Sequence, residues 1–361
     1  MKVGAPGIGE PAQLSDFATR IVRWQKSHGR HTLPWQNTQD PYRVWLSEIM
    51  LQQTQVSTVL EYFTRFLKRF PDVFELAAAS EDDVMSLWSG LGYYSRARNM
   101  HRCARQVVSD FGGKFPPTAE LLQTLPGIGR STAAAIAAFC YGERVAILDG
   151  NVKRVLTRVL AFGADLAVSR NENALWAQAT GLLPQRAVKE AMPRYTQGLM
   201  DLGSTICLAR NPMCLICPVH EVCAAYREGR PQDFPVKTRK LKRSSQSIWL
   251  LWAQTPAGAV WLGKRPVPGV WAGLYCMPLF DSHESLELAV PVKYRVRLEA
   301  AEVFLHVLTH KDLHLHPVRV TVPQSVFSNP AGTPGEGAWF NADQWPALGL
   351  PAPIRKLLQG T

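Results

Sequence analysis

The feature that most constrains the fold of this 361-residue chain is a group of four cysteines within 17 residues. They are spaced Cys207-x6-Cys214-x2-Cys217-x5-Cys223, and Pro218 follows the third. Four thiolates in one loop can surround a single soft-metal centre. Zinc sites usually combine two short Cys-x(2–4)-Cys pairs, and only the middle pair here has that spacing. The spacing favours an iron–sulfur cluster, with zinc and unliganded thiols as the open alternatives.

The other cysteines and the net charge narrow the setting of the chain. Cys103, Cys140 and Cys276 are scattered through apolar segments, and the odd total of seven argues against a disulfide framework. One tight cluster beside scattered thiols is typical of a metal site in a reducing compartment. The formal net charge of +11 favours a polyanionic partner, either nucleic acid or an anionic membrane surface.

The sequence lacks the patterns of a membrane or exported protein. No stretch approaches the roughly 18 apolar residues that span a bilayer, and the most apolar run, 133–140, suits one buried helix. Residues 1–14 have no apolar region of a secretory signal. We therefore expect a cytoplasmic protein, nucleoid-associated if bacterial, with no membrane partner.

Residues 1–234 have the pattern of a helical region. Apolar residues recur at helical spacing at 16–24, 57–70, 82–88 and 96–111, and proline or glycine closes the last three segments. Alternating β-branched runs are few. The pattern predicts a mainly α catalytic region.

The pattern changes after residue 234. No Asp or Glu occurs between Phe234 and Phe280, and residues 237–243 carry five positive charges in seven positions. We interpret 235–247 as an exposed basic linker that either contacts phosphate or is merely solvated. Strand-like runs at 248–253, 259–264 and 317–322 and a helix at 354–359 then predict a smaller α+β domain over 248–361.

A glycine-rich turn, Leu-Pro-Gly-Ile-Gly-Arg-Ser-Thr, separates two helical segments at 125–132. Its glycines permit positive φ, and we expect the following helix to begin at about Arg130. Backbone N–H groups at such a helix N-terminus can bind a phosphate oxygen. A P-loop is excluded, because no Gly-Lys-Ser/Thr follows at the required spacing. In a basic chain with a four-cysteine loop, we favour phosphate binding over an ordinary helix connection.

Two carboxylates are candidates for acid–base chemistry. Glu48 has almost wholly apolar neighbours, so burial should raise its pKa, unless it is an exposed residue on a helix. Asp149 precedes the amphipathic segment 152–160, where it either caps a helix or serves as an ionised carboxylate. A protonated acid with a second, ionised carboxylate is the pair that glycosidic cleavage needs.

These motifs together resemble one family. The turn 125–132, the run Leu-Asp-Gly-Asn-Val-Lys-Arg at 148–154 and the cysteine loop occur in this order in the helix-hairpin-helix DNA glycosylases. The segments 33–35, 45–55 and 90–99 narrow the resemblance to the adenine-specific members, which remove adenine mispaired with oxidised guanine or guanine. The similarity is close over residues 14–230 and looser over 245–361.

The resemblance implies a fold and an activity. The fold is mainly α, with a hairpin-bearing part at about 36–148, an iron–sulfur part formed by 14–35 and 149–227, and a smaller α+β Nudix-like C-terminal domain. The activity is that of a monofunctional base-excision-repair glycosylase, acting as a monomer on duplex DNA with adenine opposite 8-oxoguanine or guanine. The cofactor is one 4Fe-4S cluster held by Cys207, Cys214, Cys217 and Cys223.

The resemblance also implies roles for individual residues. Glu48 would protonate the adenine ring, Asp149 would stabilise the sugar cation, and Asn151 would orient Asp149. The remaining contacts concern the base and the duplex: Trp35, Leu51 and Gln197 would line the adenine pocket, Gln53 and Tyr93 would wedge into the duplex, and Gln52, Gly127 and Gly129 would bind DNA. Ordinary core packing is the alternative for each wedge or pocket residue.

One position separates this chain from strand-nicking relatives. Bifunctional members of the superfamily carry a lysine in the helix after the hairpin, and its amine forms a Schiff base with the sugar. Ser131 stands at that position here. Lys153 lies one turn beyond Asp149, where a phosphate contact is favoured over an adventitious Schiff base. The resemblance therefore implies base release without strand cleavage.

The C-terminal region resembles the Nudix-related module of these glycosylases through residues 265–275. The paired Glu residues that bind magnesium in Nudix hydrolases are absent from 281–297, which implies recognition without hydrolysis. The family's aromatic–Ser–His reader of oxidised guanine corresponds best to Leu308, Thr309 and His310, with the aromatic missing. The nearby histidines could suggest a metal site, but alternation along a strand is the favoured interpretation.

Three rival functions remain at this point. The first is a glycosylase of the same superfamily that acts on oxidised pyrimidines and nicks the strand. The second is a non-catalytic iron–sulfur protein that clamps DNA with the hairpin. The third is a zinc-stabilised adaptor. Ser131, the Nudix-like region and the Glu48–Asp149 pair favour the adenine-specific glycosylase over them.

Overall fold

The computed structural model describes residues 14, 16–238, 243–327 and 337–360. By its backbone contacts the chain forms two compact units, Met1–Ala77 with Arg102–Lys240 and Ala78–His101 with Leu241–Thr361. The middle of the basic linker, 239–242, lies outside the described residues, so its contact with phosphate remains a prediction. In the described residues, no helix combines the length and apolarity of a membrane-crossing segment.

The first unit is built from helices. They are α1 (Phe17–His28), α2 (Pro41–Leu51), α3 (Val56–Arg69), α4 (Val73–Ala78), the C-terminal part of α6 (Ser95–Phe111), α7 (Ala119–Leu122), α8 (Arg130–Tyr141), α9 (Gly150–Val159), α10 (Ser169–Gly181), α11 (Val188–Thr205) and α12 (Ala224–Arg227). Between α11 and α12 the chain makes 3-10 turns at Cys214–Ile216 and His220–Val222. The mainly α prediction for this region is confirmed.

Local sequence signals explain where these helices begin and end. Asp40 caps α2 by accepting the Tyr42 N–H at 3.0 Å, and Pro41 occupies the first turn. The helix α8 ends at Gly142, whose φ of 67° is costly for residues with a Cβ. The predicted helix at 57–70 forms as α3, one residue earlier at each end.

The core of the first unit lies around α11. This helix packs against α1, α8 and α9. Two glycines allow the closest approaches: a Cβ on Gly198 would lie 2.7 Å from Ile21 Cγ2, and one on Gly203 would lie 2.7 Å from Asn151 Cβ. Larger residues at either position would push α11 away from its neighbours. The helix α9, which carries Asn151, therefore packs directly against α11.

The second unit combines a sheet with short helices. Its strands are β1 (Ser244–Gln254), β2 (Val260–Lys264), β3 (Tyr275–Cys276), β4 (Leu279–Phe280), β5 (Glu299–Ala300), β6 (Phe304–Val307), β7 (Lys311–Thr321) and β8 (Gly337–Phe340), and its helices are α5 (Glu81–Trp88), the first part of α6, α13 (His283–Ala289), α14 (Val292–Arg295) and α15 (Ala352–Gln359). The strand order is β3-β2-β1-β7-β5, with β1 and β7 parallel in the register Ser244 to Lys311. The predicted α+β character is confirmed.

The unit boundary differs from the predicted boundary near residue 234. Residues Ala78–His101 belong by contacts to the second unit. Asp82 on α5 pairs with Lys264 on β2 at 2.5 Å, and the Arg98 Nη1 donates to the Ala272 carbonyl at 2.5 Å. The linear pattern missed this assignment because the partners are more than 170 residues apart in sequence.

Candidate active site and cysteine loop

A cleft of about 630 Å³ opens in the first unit beside α2. Trp35, Glu48, Leu51 and Gln197 all line it, although the first three lie 146 to 162 residues before Gln197 in the sequence. Trp35 is only 8% exposed and meets Phe63 edge-on, with ring centroids 5.3 Å apart. The fold thus brings one carboxyl group and an aromatic wall into a single cavity, the type of concave site that binds a small planar ligand.

Glu48 combines access to the cleft with an apolar surrounding. Its neighbours on α2, Ser47 and Ile49, are buried, while Glu48 itself is partly exposed. Burial, and secondly the negative charge of Asp149, raise the pKa of Glu48 from its ordinary 4.5 to about 8. Glu48 is therefore protonated at neutral pH, as the apolar flanks predict.

Asp149 is both a helix cap and the electrostatic neighbour of Glu48. Its Oδ1 accepts the N–H of Val152 at 2.7 Å at the start of α9, so the predicted cap exists. Burial raises the pKa of Asp149, but the N–H groups of Val152 and Asn151 and the positive charge of Arg154 act in the opposite direction. Asp149 is not among the described residues that line the cleft.

The side chain of Asn151 contacts Arg154, and its backbone contacts Asp149. Its Oδ1 accepts from Arg154 Nη2 at 2.8 Å, and its backbone N–H donates to Asp149. A residue in the first turn of a helix presents its backbone N–H to the cap, so the role of the Asn151 side chain stays a prediction. Asn151 thus supports Asp149 from the main chain.

Ser131 and Lys153 each have a definite partner near Asp149. Ser131 Oγ accepts the N–H of Leu148 at 3.1 Å, which ties the start of α8 to the residue before Asp149. Lys153 Nζ pairs with Glu172 at 2.5 Å, and both side chains are partly buried. The ion pair holds the Lys153 amine on α10, and the contact of Lys153 with a DNA phosphate stays a prediction.

A polar network beside the cleft was missed by the sequence analysis. Asp201, with a fully buried side chain, accepts from the Arg30 Nε at 2.7 Å and from Gln197 Nε2 at 2.9 Å. The network holds Gln197 at the cleft wall. The only sequence signal was an aspartate on an apolar helix face, and its partner Arg30 lies 171 residues away.

Both predicted wedge residues have an unusual backbone. Gln53 and Tyr93 have φ of 56° and 48°, values uncommon for residues other than glycine. Gln53 is exposed, and Tyr93 is 43% exposed. The buried Arg96, also missed by the sequence analysis, lies 5.4 Å from the Tyr93 ring and donates to the Gly92 carbonyl at 3.3 Å. Burial lowers the pKa of Arg96 to about 10.

The glycine-rich turn has the predicted position, and α8 begins after it at Arg130. Gly127 has a φ of 78°, but Gly129 is extended, with φ −83° and ψ 169°, and is the N-cap of α8. A Cβ placed on Gly129 would meet no atom of the described residues within 4 Å, so the N-terminus of α8 is accessible. Gln52 Nε2 donates to Thr132 Oγ1 at 3.3 Å and links α2 to this helix.

In the second unit, Thr309 and His310 form the exposed turn between β6 and β7. The Thr309 hydroxyl lies 2.5 Å from the Tyr93 hydroxyl, so two predicted DNA contacts share one hydrogen bond. His314 and His316 lie on β7, as the strand interpretation predicts. Among the described residues of the second unit, no three His, Cys, Asp or Glu side chains are arranged to bind one metal ion.

The four cysteines share the walls of one pocket in the first unit. Cys207, Cys214, Cys217 and Cys223 all line it. The buried Arg158 on α9 donates from Nη1 to Cys207 Sγ at 3.2 Å and to the Leu208 carbonyl at 2.7 Å, and from Nη2 to the Ala209 carbonyl. Four thiols with a guanidinium donor fit a thiolate-ligated, negatively charged group. Arg158 carried no sequence signal beyond its helical spacing.

Comparison with known proteins decides the family. Residues 46–178 match the family of HhH-GPD superfamily base excision DNA repair proteins, and residues 248–360 match the NUDIX domain. The chain is 36% identical over 349 residues to adenine DNA glycosylase of Buchnera aphidicola subsp. Baizongia pistaciae, with 95% of each chain covered. The chain belongs to the adenine DNA glycosylases. It is therefore a DNA glycosylase, a hydrolase of N-glycosyl bonds, and the rival adaptor and clamp functions are excluded.

Further relatives agree with this membership of the adenine DNA glycosylases. The mouse adenine DNA glycosylase is 32% identical over 416 residues, covering 98% of this chain and 79% of its own. Among solved structures, a thermostable thymine-DNA glycosylase has a TM-score of 0.52 at 26% identity, covering 60% of this chain and 98% of its own. The helical glycosylase fold is thus shared beyond the adenine-specific members.

Proposed function

We propose that this glycosylase hydrolyses the N-glycosidic bond of adenine opposite 8-oxoguanine or guanine in duplex DNA, without cutting the strand. The observation that carries the proposal is Glu48, a protonated acid with a pKa of about 8 in an aromatic-walled cleft, next to the charge of Asp149. Such a pair supplies one proton donor and one anion across a glycosidic bond.

The reaction follows from these two groups. Glu48 donates its proton to a ring nitrogen of the extruded adenine, and the bond between C1′ and N9 then breaks with its electron pair going to the base. The carboxylate of Asp149 stabilises the positive charge on the sugar. A water molecule adds to C1′ and loses a proton to a carboxylate. The products are free adenine and an abasic site.

The remaining site residues serve binding and extrusion of the base. Trp35, Leu51 and Gln197 line the adenine cleft, and Gln52, Gln53 and Tyr93 contact the duplex where the base leaves the stack. The open N-terminus of α8, with Gly127 and Gly129, binds a backbone phosphate. The strained φ of Gln53 and Tyr93 supports a role at the duplex, because such strain is concentrated at functional sites.

The absence of strand cleavage rests on the groups near Asp149. Ser131 offers a hydroxyl that already accepts the Leu148 N–H, and the Lys153 amine is paired with Glu172. Neither is a poised amine nucleophile for C1′. We therefore assign hydrolysis by water as the only route to the abasic product.

The cysteine pocket and the C-terminal unit complete the proposal. One 4Fe-4S cluster would be held by Cys207, Cys214, Cys217 and Cys223. The cluster would cross-link the loop and hold its conformation, and it would take no part in bond cleavage. Thr309 and His310 would contact the base opposite the adenine, with Thr309 supplying a hydroxyl and His310 a ring N–H. This assigns selection of the opposing base to the Nudix-like unit.

One assay tests the function directly. Duplexes that differ only in the base opposite adenine, namely 8-oxoguanine, guanine or thymine, are incubated with the protein and analysed for free adenine and for strand breaks with and without alkali. We expect adenine release opposite the first two bases and breaks only after alkali. Strand breaks without alkali, or equal release opposite thymine, would contradict the proposal.

A further inference from the structure

Arg243 contacts the turn that carries Thr309 and His310. It lies just before β1, at the end of the basic linker. Its Nη1 donates to the Thr309 carbonyl at 3.0 Å, and its Nη2 donates to the carboxylate of Asp312. The guanidinium therefore joins the turn to the first residues of β7.

Besides Arg243, two backbone hydrogen bonds and one side-chain hydrogen bond hold the same turn. Ser244 N–H donates to the His310 carbonyl at 3.1 Å, and Leu308 N–H donates to the Lys311 carbonyl at 2.8 Å. Thr309 itself is held at two points, its carbonyl by Arg243 and its hydroxyl by the Tyr93 hydroxyl at 2.5 Å. A shift of the Thr309 backbone would move the hydroxyl away from Tyr93.

Arginine suits this position for a geometric reason. A guanidinium presents several N–H donors in a rigid plane, so it can donate to a carbonyl and a carboxylate at once, whereas a lysine ammonium acts as a flexible point charge. The residue before Thr309 is Leu308. A leucine at the turn offers no ring to stack on a base.

We propose that Arg243 is a positioning residue for recognition of the base opposite the adenine. It fixes the main chain at Thr309, so that the Thr309 hydroxyl and His310 ring meet that base in one orientation. The last charge of the basic linker is thus used inside the protein and not on a phosphate. This inference rests on the proposed role of Thr309 in reading the opposing base.

The size of the effect is bounded by exposure. The Arg243 and Asp312 side chains are 42% and 32% exposed, so water screens their attraction. We expect Arg243→Gln to reduce the preference for 8-oxoguanine over guanine by roughly three- to ten-fold, the effect of one or two partly exposed charged hydrogen bonds. A general loss of stability would instead lower both rates in proportion.

The experiment measures single-turnover adenine release opposite 8-oxoguanine and opposite guanine for the full chain. The variants are Arg243→Gln, Arg243→Lys, Asp312→Asn and the double variant Arg243→Gln/Asp312→Asn, with Arg297→Gln as the control for loss of one exposed positive charge in the same unit. We expect both Arg243 variants to lower the ratio of the two rates and the control to keep it. In the double variant, the loss in this ratio should be smaller than the product of the losses in the two single variants.

Two results would overturn the inference. If Arg243→Lys keeps the wild-type ratio while Arg243→Gln weakens binding to every duplex and flattens its salt dependence, Arg243 contacts phosphate. If Arg243→Gln leaves the ratio unchanged, it positions nothing. Thr309→Ala distinguishes failure of this inference from failure of the proposed role of Thr309. If Thr309→Ala lowers the ratio and Arg243→Gln does not, only the inference about Arg243 fails. If Thr309→Ala has no effect on the ratio, the proposed role of Thr309 is itself wrong.

Discussion

At the residue scale, Glu48 and Asp149 differ in the hydrogen bonds that reach them. Burial raises the pKa of Asp149, but two backbone N–H groups at the start of α9 and the charge of Arg154 oppose that rise and favour the ionised form. Glu48 is raised to a pKa of about 8 by burial and by the charge of Asp149 itself. The cap at Asp149 thus also maintains the proton on Glu48.

Glu48→Gln tests the proton donor. The amide keeps the shape of the side chain but cannot protonate the base, so we expect the single-turnover rate of adenine release to fall by about 10²–10⁴-fold while DNA affinity is retained. Rates by product analysis and affinities by fluorescence anisotropy check this. A near-wild-type rate would reject Glu48 as the acid.

The pH dependence follows from the same pKa. We expect the rate of adenine release to be lost as pH rises through about 8, because Glu48 then gives up its proton. Between pH 4.5 and about 8, Glu48 also keeps its proton in the folded protein but has released it in the unfolded chain. As pH rises across this window, the free energy of unfolding should therefore fall by roughly 2–4 kcal/mol more in the wild-type protein than in Glu48→Gln. Denaturant titrations at both ends measure it, and parallel curves for the two proteins would contradict the shift.

Asp149→Asn separates the cap from the chemistry. Asparagine caps helices as well as aspartate, so we expect little change in melting temperature. The sugar cation would lose its carboxylate, and the rate should fall by roughly 10²–10³-fold. Thermal melts and single-turnover rates on the same preparation provide the comparison. If stability fell while the rate held, Asp149 would be a cap alone.

At the element scale, α9 connects Asp149, the proposed catalytic carboxylate, to the cysteine loop. Asp149 caps its first turn, and two turns later Arg158 extends its guanidinium to the loop. Arg158 Nε also donates to the Pro231 carbonyl at 2.7 Å, so one buried side chain ties both flanks of the loop to the helix. A displacement of the loop would be transmitted to the helix that begins at Asp149.

Arg158→Gln is expected to loosen this connection. It leaves the partly buried carbonyls of Leu208 and Pro231 without this donor, and since a buried unpaired carbonyl costs about 1–3 kcal/mol, we expect the free energy of unfolding to fall by roughly that amount. We also expect less iron and less visible absorbance per mole of protein. Arg170→Gln, at an exposed arginine on α10, is the matched control. Equal stability and iron content in both variants would argue against the role of Arg158.

At the scale of the whole molecule, charge dominates the expected interaction with DNA. The net charge of +11 favours binding to any duplex before a base is read. Within the second unit, the Asp82–Lys264 pair and the Arg98 contact join the segment that carries Tyr93 to the sheet that carries Thr309. The hydroxyls of Tyr93 and Thr309, which lie 2.5 Å apart, are thus held together by the contacts between their two segments.

Salt titration tests the electrostatic contribution. We expect the affinity for an undamaged duplex to fall at least tenfold between roughly 50 and 200 mM salt, because cations released from DNA drive binding. The single-turnover rate on saturated complexes should change little, since the cleft chemistry is local. Anisotropy and quench-flow measurements over one salt series give both quantities. A flat affinity curve would contradict a phosphate-dominated contact.

Local patterns were sufficient for the fold class and for most helices. Helix periodicity, the glycine that ends α8 and the cap at Asp149 act within a few residues, so they can be predicted from neighbouring sequence. The apolar flanks of Glu48 likewise indicate its raised pKa. The segment motifs then identify the family without any knowledge of distances.

Contacts between distant residues could be established only by the folded chain. Asp201 with Arg30, Arg158 with the cysteine loop, and Arg243 with Thr309 join positions 49–171 residues apart, and one aspartate or arginine in a sequence does not reveal its partner. The same reason explains why Asn151 turned to Arg154 and why Ala78–His101 joined the second unit. Burial and partner choice depend on packing, which linear spacing does not encode.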